Sequence, residues 1–206
     1  MKLTSESKFF LGITAATVAV IALAVGLFSK PVQPLPRAEL LPGGTPVRGH
    51  AAAPVYLIEF SDFQCPACRA VKPVIDEIVA QYAGDNFVFG YRHFPLEQHS
   101  MAMKAAIAAE AAGQQGKFWE MTDLLFANQD KLSDETIMSL AQQLNLRMEA
   151  FKKDLERSDI REKVERDKSY GIQIGIKATP TFFLNGQKLE LRNFADLKSA
   201  VAEAIK

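Results

Sequence analysis

The hydrophobic and polar positions divide the chain into three segments of different character. Residues 9–28 are 20 consecutive uncharged, mostly apolar positions. Residues 29–53 show no apolar periodicity and contain five prolines. Residues 54–206 alternate short apolar runs with amphipathic stretches and have the usual size of a single domain. The pattern therefore predicts an apolar helix, a linker and one folded domain.

The apolar run at 9–28 is long enough to cross a membrane. Twenty helical residues span ~30 Å, the thickness of the hydrocarbon core of a bilayer. Because Lys2 and Lys8 precede the run, the positive-inside rule places residues 1–8 in the cytoplasm and the folded domain outside. We predict an uncleaved signal anchor. A cleaved signal peptide and a buried helix of a soluble protein are the alternatives.

The segment 29–53 is rich in proline and glycine, which predicts a partly extended linker between membrane and domain. The alternative is that part of it packs on the domain as an edge strand.

The domain begins with a strand–helix–strand pattern. The apolar run 55–60 predicts a buried strand, the amphipathic stretch 65–82 a helix, and the run 87–92 a second strand. Strands separated by one helix at this spacing pair in parallel through a right-handed crossover.

Helical periodicity then continues through about residues 97–170. Strand character returns at 181–184 and 187–191, on either side of Asn185-Gly186, which suits a type I′ hairpin turn. A closing helix is predicted at 194–205. The predicted fold is therefore α/β, with the order β-α-β, helical insertion, β-β-α.

The composition excludes several classes of protein. The chain has 24 basic and 24 acidic residues, so net charge does not indicate binding to nucleic acid. An apolar content of 48% suffices for a globular core. Two cysteines are too few for a small fold held together by disulfides.

The two cysteines, Cys65 and Cys68, lie where the first strand passes into a helix. Helix N-termini carry unpaired N–H groups and a partial positive charge, which stabilise a thiolate and lower the thiol pKa. Cys65 comes first, so we expect it to be the exposed nucleophile and Cys68 the resolving thiol. Pro66 lacks an N–H and suits the first turn, while Ala67 adds no positive charge beside the thiols. The arrangement indicates redox chemistry.

Two other interpretations of the cysteine pair remain open. A zinc site needs further ligands, for which only His50, His93 and His99 are available. Alternatively, both cysteines are buried and inert.

Glu59 is the only charged residue in the apolar run 55–60. If its side chain faces the buried side of the sheet, its pKa rises and it serves as the proton acceptor of the resolving thiol. The alternative is a solvent-facing carboxylate at a strand edge.

The dipeptide Thr179-Pro180 directly precedes the third strand. A trans proline at a turn is the ordinary expectation. If the bond is cis and faces Cys65, the Thr179 backbone pairs with a bound peptide as an added strand would.

Taken together, these motifs resemble the DsbA-like family of bacterial extracytoplasmic thiol-disulfide oxidoreductases, over about residues 54–206. That family has a thioredoxin-like fold with a helical insertion. The matching features are the strand–Cys-Pro-x-Cys–helix, Pro73 five residues after Cys68, Thr179-Pro180 before the hairpin, and the runs 91–96, 117–121 and 178–186.

The resemblance implies a redox-active Cys65–Cys68 pair, a buried acid at Glu59 and a cis Pro180. It also implies that Thr179, Pro180, Pro66 and Ala67 contact the substrate. Well-studied oxidases of the family carry His at the position of Ala67 and often Val at that of Thr179. Thr179 is more similar to the isomerase and reductase branches.

We therefore predict a protein thiol-disulfide oxidoreductase anchored in the bacterial cytoplasmic membrane, with its catalytic domain on the extracytoplasmic side. It acts on exported client proteins and exchanges electrons with a membrane redox partner, either a quinone-linked re-oxidising protein or a reductase. No cofactor or metal is expected. Introduction of disulfides is the first hypothesis, reduction or isomerisation the second, and a non-enzymatic peptide-binding chaperone the third.

Overall fold

The computed structural model describes residues 11, 13–21, 23, 33–84 and 86–206. The chain divides into two units, Met1–Gln33 and Pro34–Lys206.

In the first unit, residues 13–21 are helical. The predicted membrane span includes residues 9, 10, 12, 22 and 24–28, which lie outside the described part of the chain. Among the helices that the structure does describe, none combines the length and apolar character needed to cross a bilayer. The membrane anchor therefore stays a prediction.

The second unit is built from a mixed sheet and eight helices, counted over residues 33–84 and 86–206. The strands are β1 (Val47–Gly49), β2 (Val55–Ser61), β3 (Phe87–His93), β4 (Thr181–Leu184) and β5 (Gln187–Lys188). The helices are α1 (Arg37–Leu40), α2 (Pro66–Tyr82), α3 (Ala102–Gly113), α4 (Phe118–Ala127), α5 (Asp134–Gln143), α6 (Met148–Leu155), α7 (Ser158–Gln173) and α8 (Ala195–Ala204).

The strand order is β1-β3-β2-β4-β5. β2 and β3 are parallel and joined by α2, whereas the β1–β3, β2–β4 and β4–β5 pairs are antiparallel. This confirms the predicted β-α-β unit and the order β-α-β, helical insertion, β-β-α.

Both faces of the central strands are buried. Leu57 of β2 belongs to the hydrophobic core that includes α2, α8 and the insertion, whereas Ile58 and Phe60 belong to the core on the other face. Side chains alternate across a strand, so Glu59 shares the face of Leu57 and of Cys68. This alternation places the acid beneath the start of α2.

The insertion between β3 and β4 comprises α3 to α7 and a 3₁₀ turn at Gln129–Lys131. Most of α3 is buried, and its alanines leave room for neighbouring helices to pack closely. Ser133 is the N-cap of α5, because its hydroxyl accepts a hydrogen bond from the Thr136 N–H at 3.1 Å.

The structure departs from the predicted linker boundary, because the folded unit begins at Pro34 rather than at residue 54. Leu35 N–H donates to the Gly186 carbonyl at 2.8 Å, and β1 pairs with the outer edge of β3. The Arg37 guanidinium donates to the Ala51 and Ala53 carbonyls, both at 2.6 Å. Proline-rich composition does not prevent these contacts, and β1 covers an otherwise open strand edge.

The hairpin is confirmed, with positive φ angles at Asn185 (49°) and Gly186 (86°). Its second strand is shorter than the predicted 187–191 and ends at Lys188. One further bond, from the Leu189 N–H to the Phe182 carbonyl at 2.9 Å, follows the last paired residue.

Candidate active site

The paired cysteines lie at the start of α2, as the sequence predicts. Cys65 is the N-cap residue, with an extended backbone (φ −76°, ψ 119°), and Pro66 is the first helical residue. Both cysteines are free thiols, with 6% of Cys65 and 1% of Cys68 exposed. Cys65 is thus the more accessible of two largely buried sulfurs.

The surroundings of the two sulfurs separate their pKa values. A hydrogen bond from the Cys68 thiol is the main cause that lowers the pKa of Cys65 to about 5, against the opposing effect of burial. The Thr179 hydroxyl and the backbone N–H groups of Cys68 and Ala67 lower this pKa further. Burial, followed by the interaction with Cys65, raises the pKa of Cys68 well above its usual value. Cys65 is therefore the thiolate and Cys68 the protonated partner.

Thr179 and Pro180 lie against the nucleophile although 114 residues separate Thr179 from Cys65 in sequence. The Thr179–Pro180 peptide bond is cis. Cys65 Sγ lies 3.3 Å from the Thr179 carbonyl oxygen, to which it donates a hydrogen bond when protonated. The structure thus brings the predicted substrate-binding dipeptide into contact with the reactive sulfur. Pro66 is exposed and Ala67 half-buried beside it.

Glu59 is buried, with 3% of its surface exposed, so the alternative of a solvent-facing carboxylate is wrong. Burial raises the pKa of Glu59 to about 8, and the Ser61 hydroxyl offsets part of that rise. Within the described part of the chain, Glu59 Oε1 has no hydrogen-bond partner. The acid is therefore protonated at neutral pH and able to exchange a proton.

A cavity of about 20 Å³ lies behind the cysteine pair, with room for one water molecule. Glu59, Cys68 and Tyr91 line its buried part. Its lining also includes a cluster of paired charges in which the Lys72 ammonium contacts Asp76 at 2.5 Å and Asp123 at 2.9 Å. Glu59 and this charge cluster line one cavity, which the sequence alone did not reveal, since Asp123 comes from the insertion.

Two histidines considered as zinc ligands pair with carboxylates instead. His93 Nε2 lies 2.9 Å from Glu110 Oε1, and His99 Nδ1 lies 2.8 Å from Asp62 Oδ2. Among the described residues, no group of three or more His, Cys, Asp or Glu side chains is arranged to hold a metal ion.

Two residues that shape the active-site turn were not identified from the sequence. Buried Asp62 accepts hydrogen bonds from the Gln64 N–H at 2.6 Å and the Leu96 N–H at 2.8 Å. Gln129, from the insertion, donates to two carbonyls of the turn. Asp62 follows β2 directly, so its position before the cysteines was a usable signal, whereas nothing local marks Gln129.

Comparison with known proteins agrees with this geometry. The thioredoxin family profile matches residues 42–203. The fold is similar to that of a thioredoxin-like oxidoreductase from Silicibacter pomeroyi (TM-score 0.70, 24% identity, 82% of this chain and 97% of that chain). It is also similar to BdbD from Bacillus subtilis (TM-score 0.66, 25% identity, 84% and 97%). The thiol-disulfide exchange protein α-DsbA2 from Wolbachia pipientis superposes with a TM-score of 0.73 at 17% identity, over 81% and 90% of the two chains.

The chain belongs to the thioredoxin family. Its fold and paired thiols are those of a DsbA-type thiol-disulfide oxidoreductase, as the motifs predicted.

Curated relatives include Na⁺/H⁺ antiporters of the NhaA group. The chain is 37% identical to NhaA 1 of Mycolicibacterium gilvum over 189 residues. This aligned region covers 86% of this chain and 30% of that protein. It is 38% identical over 143 residues to NhaA 3 of Salinispora tropica, covering 69% and 22%. The chain therefore spans less than a third of the length of these relatives.

Proposed function

We propose that this protein introduces disulfides into exported proteins through a Cys65–Cys68 redox centre, while anchored to the bacterial cytoplasmic membrane. The observation that carries the proposal is the position of Cys65 at the N-cap of α2, where a hydrogen bond from the Cys68 thiol lowers the pKa of Cys65 to about 5. A stabilised thiolate favours the dithiol form of the protein, and a disulfide whose reduced form is stabilised is a strong oxidant.

In the proposed reaction, a client thiolate attacks Sγ of Cys65 in the oxidised protein. A mixed disulfide forms between client and Cys65, and the Cys65–Cys68 bond breaks with Cys68 leaving as a thiolate. Because the pKa of Cys68 lies well above neutrality, its thiolate takes up a proton, and Glu59 lies on the same face of the sheet to supply it. In the reverse direction the same carboxylate accepts this proton.

A second client thiolate then attacks the client sulfur of the mixed disulfide. The client leaves as a disulfide, oxidised by two electrons, and Cys65 leaves as a thiolate. Low-pKa thiols are good leaving groups, so the site that stabilises Cys65 also speeds release. A membrane redox partner must afterwards remove two electrons from the pair, with the one proton that Cys68 carries, to restore the disulfide.

The Thr179 segment supports binding of an extended client peptide. Its carbonyl lies 3.3 Å from Cys65 Sγ, within reach of backbone groups on either side of a client cysteine. Exposed Pro66 and half-buried Ala67, which follow Cys65 in sequence, are the other proposed client contacts.

Residues 9–28 support membrane attachment. The helical residues described there carry apolar side chains that are exposed at Leu11, Ile13, Val18, Val20, Ile21 and Leu23. Exposed apolar side chains on successive turns suit a lipid environment better than water.

Reduction or isomerisation is the second candidate function. The resemblance of Thr179-Pro180 to the isomerase and reductase branches favours it. Both functions use the same site and differ in the redox state in which the cell keeps the cysteine pair.

The redox state in living cells distinguishes the two candidates. We expect the protein in the membrane fraction with Cys65 and Cys68 mostly joined as a disulfide. Cells are treated with a permeant alkylating reagent, lysed and fractionated. The sample is then reduced and labelled with a heavier reagent, and mass spectrometry reads the label on each cysteine. Mostly free thiols would favour the reductase or isomerase, and recovery in the soluble fraction would contradict the anchor.

A further inference from the structure

One short segment of the helical insertion, residues 126–130, contacts the active-site turn, and we call it the clasp. It lies where α4 ends and the 3₁₀ turn begins. Three of its side chains contact the turn or the first turn of α2. The contacts are Phe126 on Phe63 (ring centroids 5.1 Å apart), Gln129 on the Phe63 and Cys65 carbonyls, and Asp130 with Arg69 at 2.6 Å.

Gln129 is a buried polar member of the clasp, with 5% of its surface exposed. Its Nε2 donates to the Phe63 carbonyl at 2.7 Å and to the Cys65 carbonyl at 3.0 Å. One amide therefore binds the backbone at both ends of the three-residue segment that carries the nucleophile. The Cys65 carbonyl also accepts from the Arg69 N–H of α2 at 3.2 Å, so Gln129 adds a second bond to it. Because buried carbonyls are destabilised when they lose hydrogen bonds, these contacts favour one conformation of the turn.

The bond to Cys65 constrains its backbone angle ψ, which sets the direction of its carbonyl. At 119° this angle is extended, as an N-cap residue requires for its side chain to face the first-turn N–H groups. If ψ became helical, Cys65 would join α2 and its sulfur would turn away from the N–H groups of Ala67 and Cys68.

We propose that Gln129 is a positioning residue through which the insertion controls the reactivity of Cys65. By holding the Cys65 carbonyl, it keeps the sulfur facing the N–H groups of α2 and the Thr179 carbonyl. This inference rests on the proposed role of Cys65 as nucleophile. The insertion thus acts on the chemistry of the site as well as covering the sheet.

Gln129→Met tests the proposal, because it keeps the length of the side chain and removes both donor groups. We expect the midpoint of Cys65 ionisation to rise above that of the wild type. A rise of one pH unit would lower the alkylation rate of Cys65 at pH 5 about five-fold. In a glutathione redox buffer, the variant should also contain more disulfide than the wild type, since its thiolate is less stabilised.

Two controls isolate the buried amide. Gln143→Met makes the same chemical change on the exposed surface of α5, and Asp130→Asn breaks the exposed ion pair of the clasp. Neither should move the midpoint measurably. Thermal unfolding checks that each variant is folded. If Gln129→Met does not fold, Gln129→Leu, which also lacks donor groups and adds no charge, is measured instead.

A folded Gln129 variant with the wild-type Cys65 midpoint would overturn the positioning role and leave the proposed function intact. A wild-type midpoint at the ordinary alkaline value would overturn the proposed function itself.

Discussion

Replacing Cys65 with serine reduces thiol-disulfide exchange to the uncatalysed background, whereas replacing Cys68 leaves a protein that accumulates mixed disulfides. Only Cys65 has a low pKa, about 5, and it alone offers a thiolate at neutral pH. In Cys68→Ser the serine hydroxyl still donates a hydrogen bond to the Cys65 sulfur, so Cys65 stays reactive. It then lacks the thiol that resolves the intermediate.

The measurement is the rate of oxidation of a reduced model peptide by the disulfide form of the wild type, compared with each single variant in glutathione buffer. Non-reducing electrophoresis detects the mixed disulfides. Ser169→Ala, on α7 away from the thiols, serves as the matched control and should keep the wild-type rate. Wild-type exchange by Cys65→Ser would exclude the mechanism, and equal trapping by both cysteine variants would exclude the assignment of roles.

The second large effect is that the ionisation of Glu59 lowers the free energy of unfolding as the pH rises. Its pKa is about 8 in the folded protein, against an ordinary value of 4.5, so the folded state binds the proton more tightly than the unfolded state. Its contribution to stability is therefore complete below pH 4.5 and is lost as the pH rises to 8. A shift of this size corresponds to about 4–5 kcal/mol.

Urea unfolding of the disulfide form at pH 4.5 and pH 8 measures this effect, because the oxidised cysteines do not titrate. Between pH 4.5 and pH 8, we expect the free energy of unfolding to fall by about 4 kcal/mol more in the wild type than in Glu59→Gln. Glu203→Gln, at an exposed position of α8, should retain the wild-type dependence. Parallel pH dependences for the wild type and Glu59→Gln would show that Glu59 ionises normally and would remove it from the proton-transfer step.

In the reduced protein the low pKa of Cys65 makes stability increase with rising pH, opposite to the effect of Glu59. Its contribution to stability is lost as the pH falls through about 5. The reduced form should therefore gain stability relative to the disulfide form as the pH rises above 5.

Local features of the sequence predicted the parts of the site that depend on local structure. The strand before Cys65 and the amphipathic stretch after it placed the thiols at a helix start. The single acid in an otherwise apolar strand identified Glu59 as buried, because the side chains of β2 alternate between two covered faces. Asn185-Gly186 predicted the hairpin, because few other dipeptides adopt two successive positive φ angles readily.

Features that depend on tertiary contacts were not predicted from the sequence. The prolines of residues 34–46 suggested a linker, yet the segment is fixed by bonds from Leu35 and Arg37 to distant carbonyls. Gln129 lies 64 positions from Cys65, and helical periodicity shows which positions are buried without showing which strand or turn they face. The charge cluster at the cavity was not predicted for the same reason, since Asp123 and Lys72 come from different helices.

Titration of the reduced wild-type protein tests the central claim most directly. Because the pKa of Cys68 lies well above 9, absorbance of the thiolate or the rate of alkylation at residue 65 reports Cys65 alone below that pH. We predict a single step with a midpoint near pH 5. A midpoint close to 9, as for an ordinary thiol, would contradict the account.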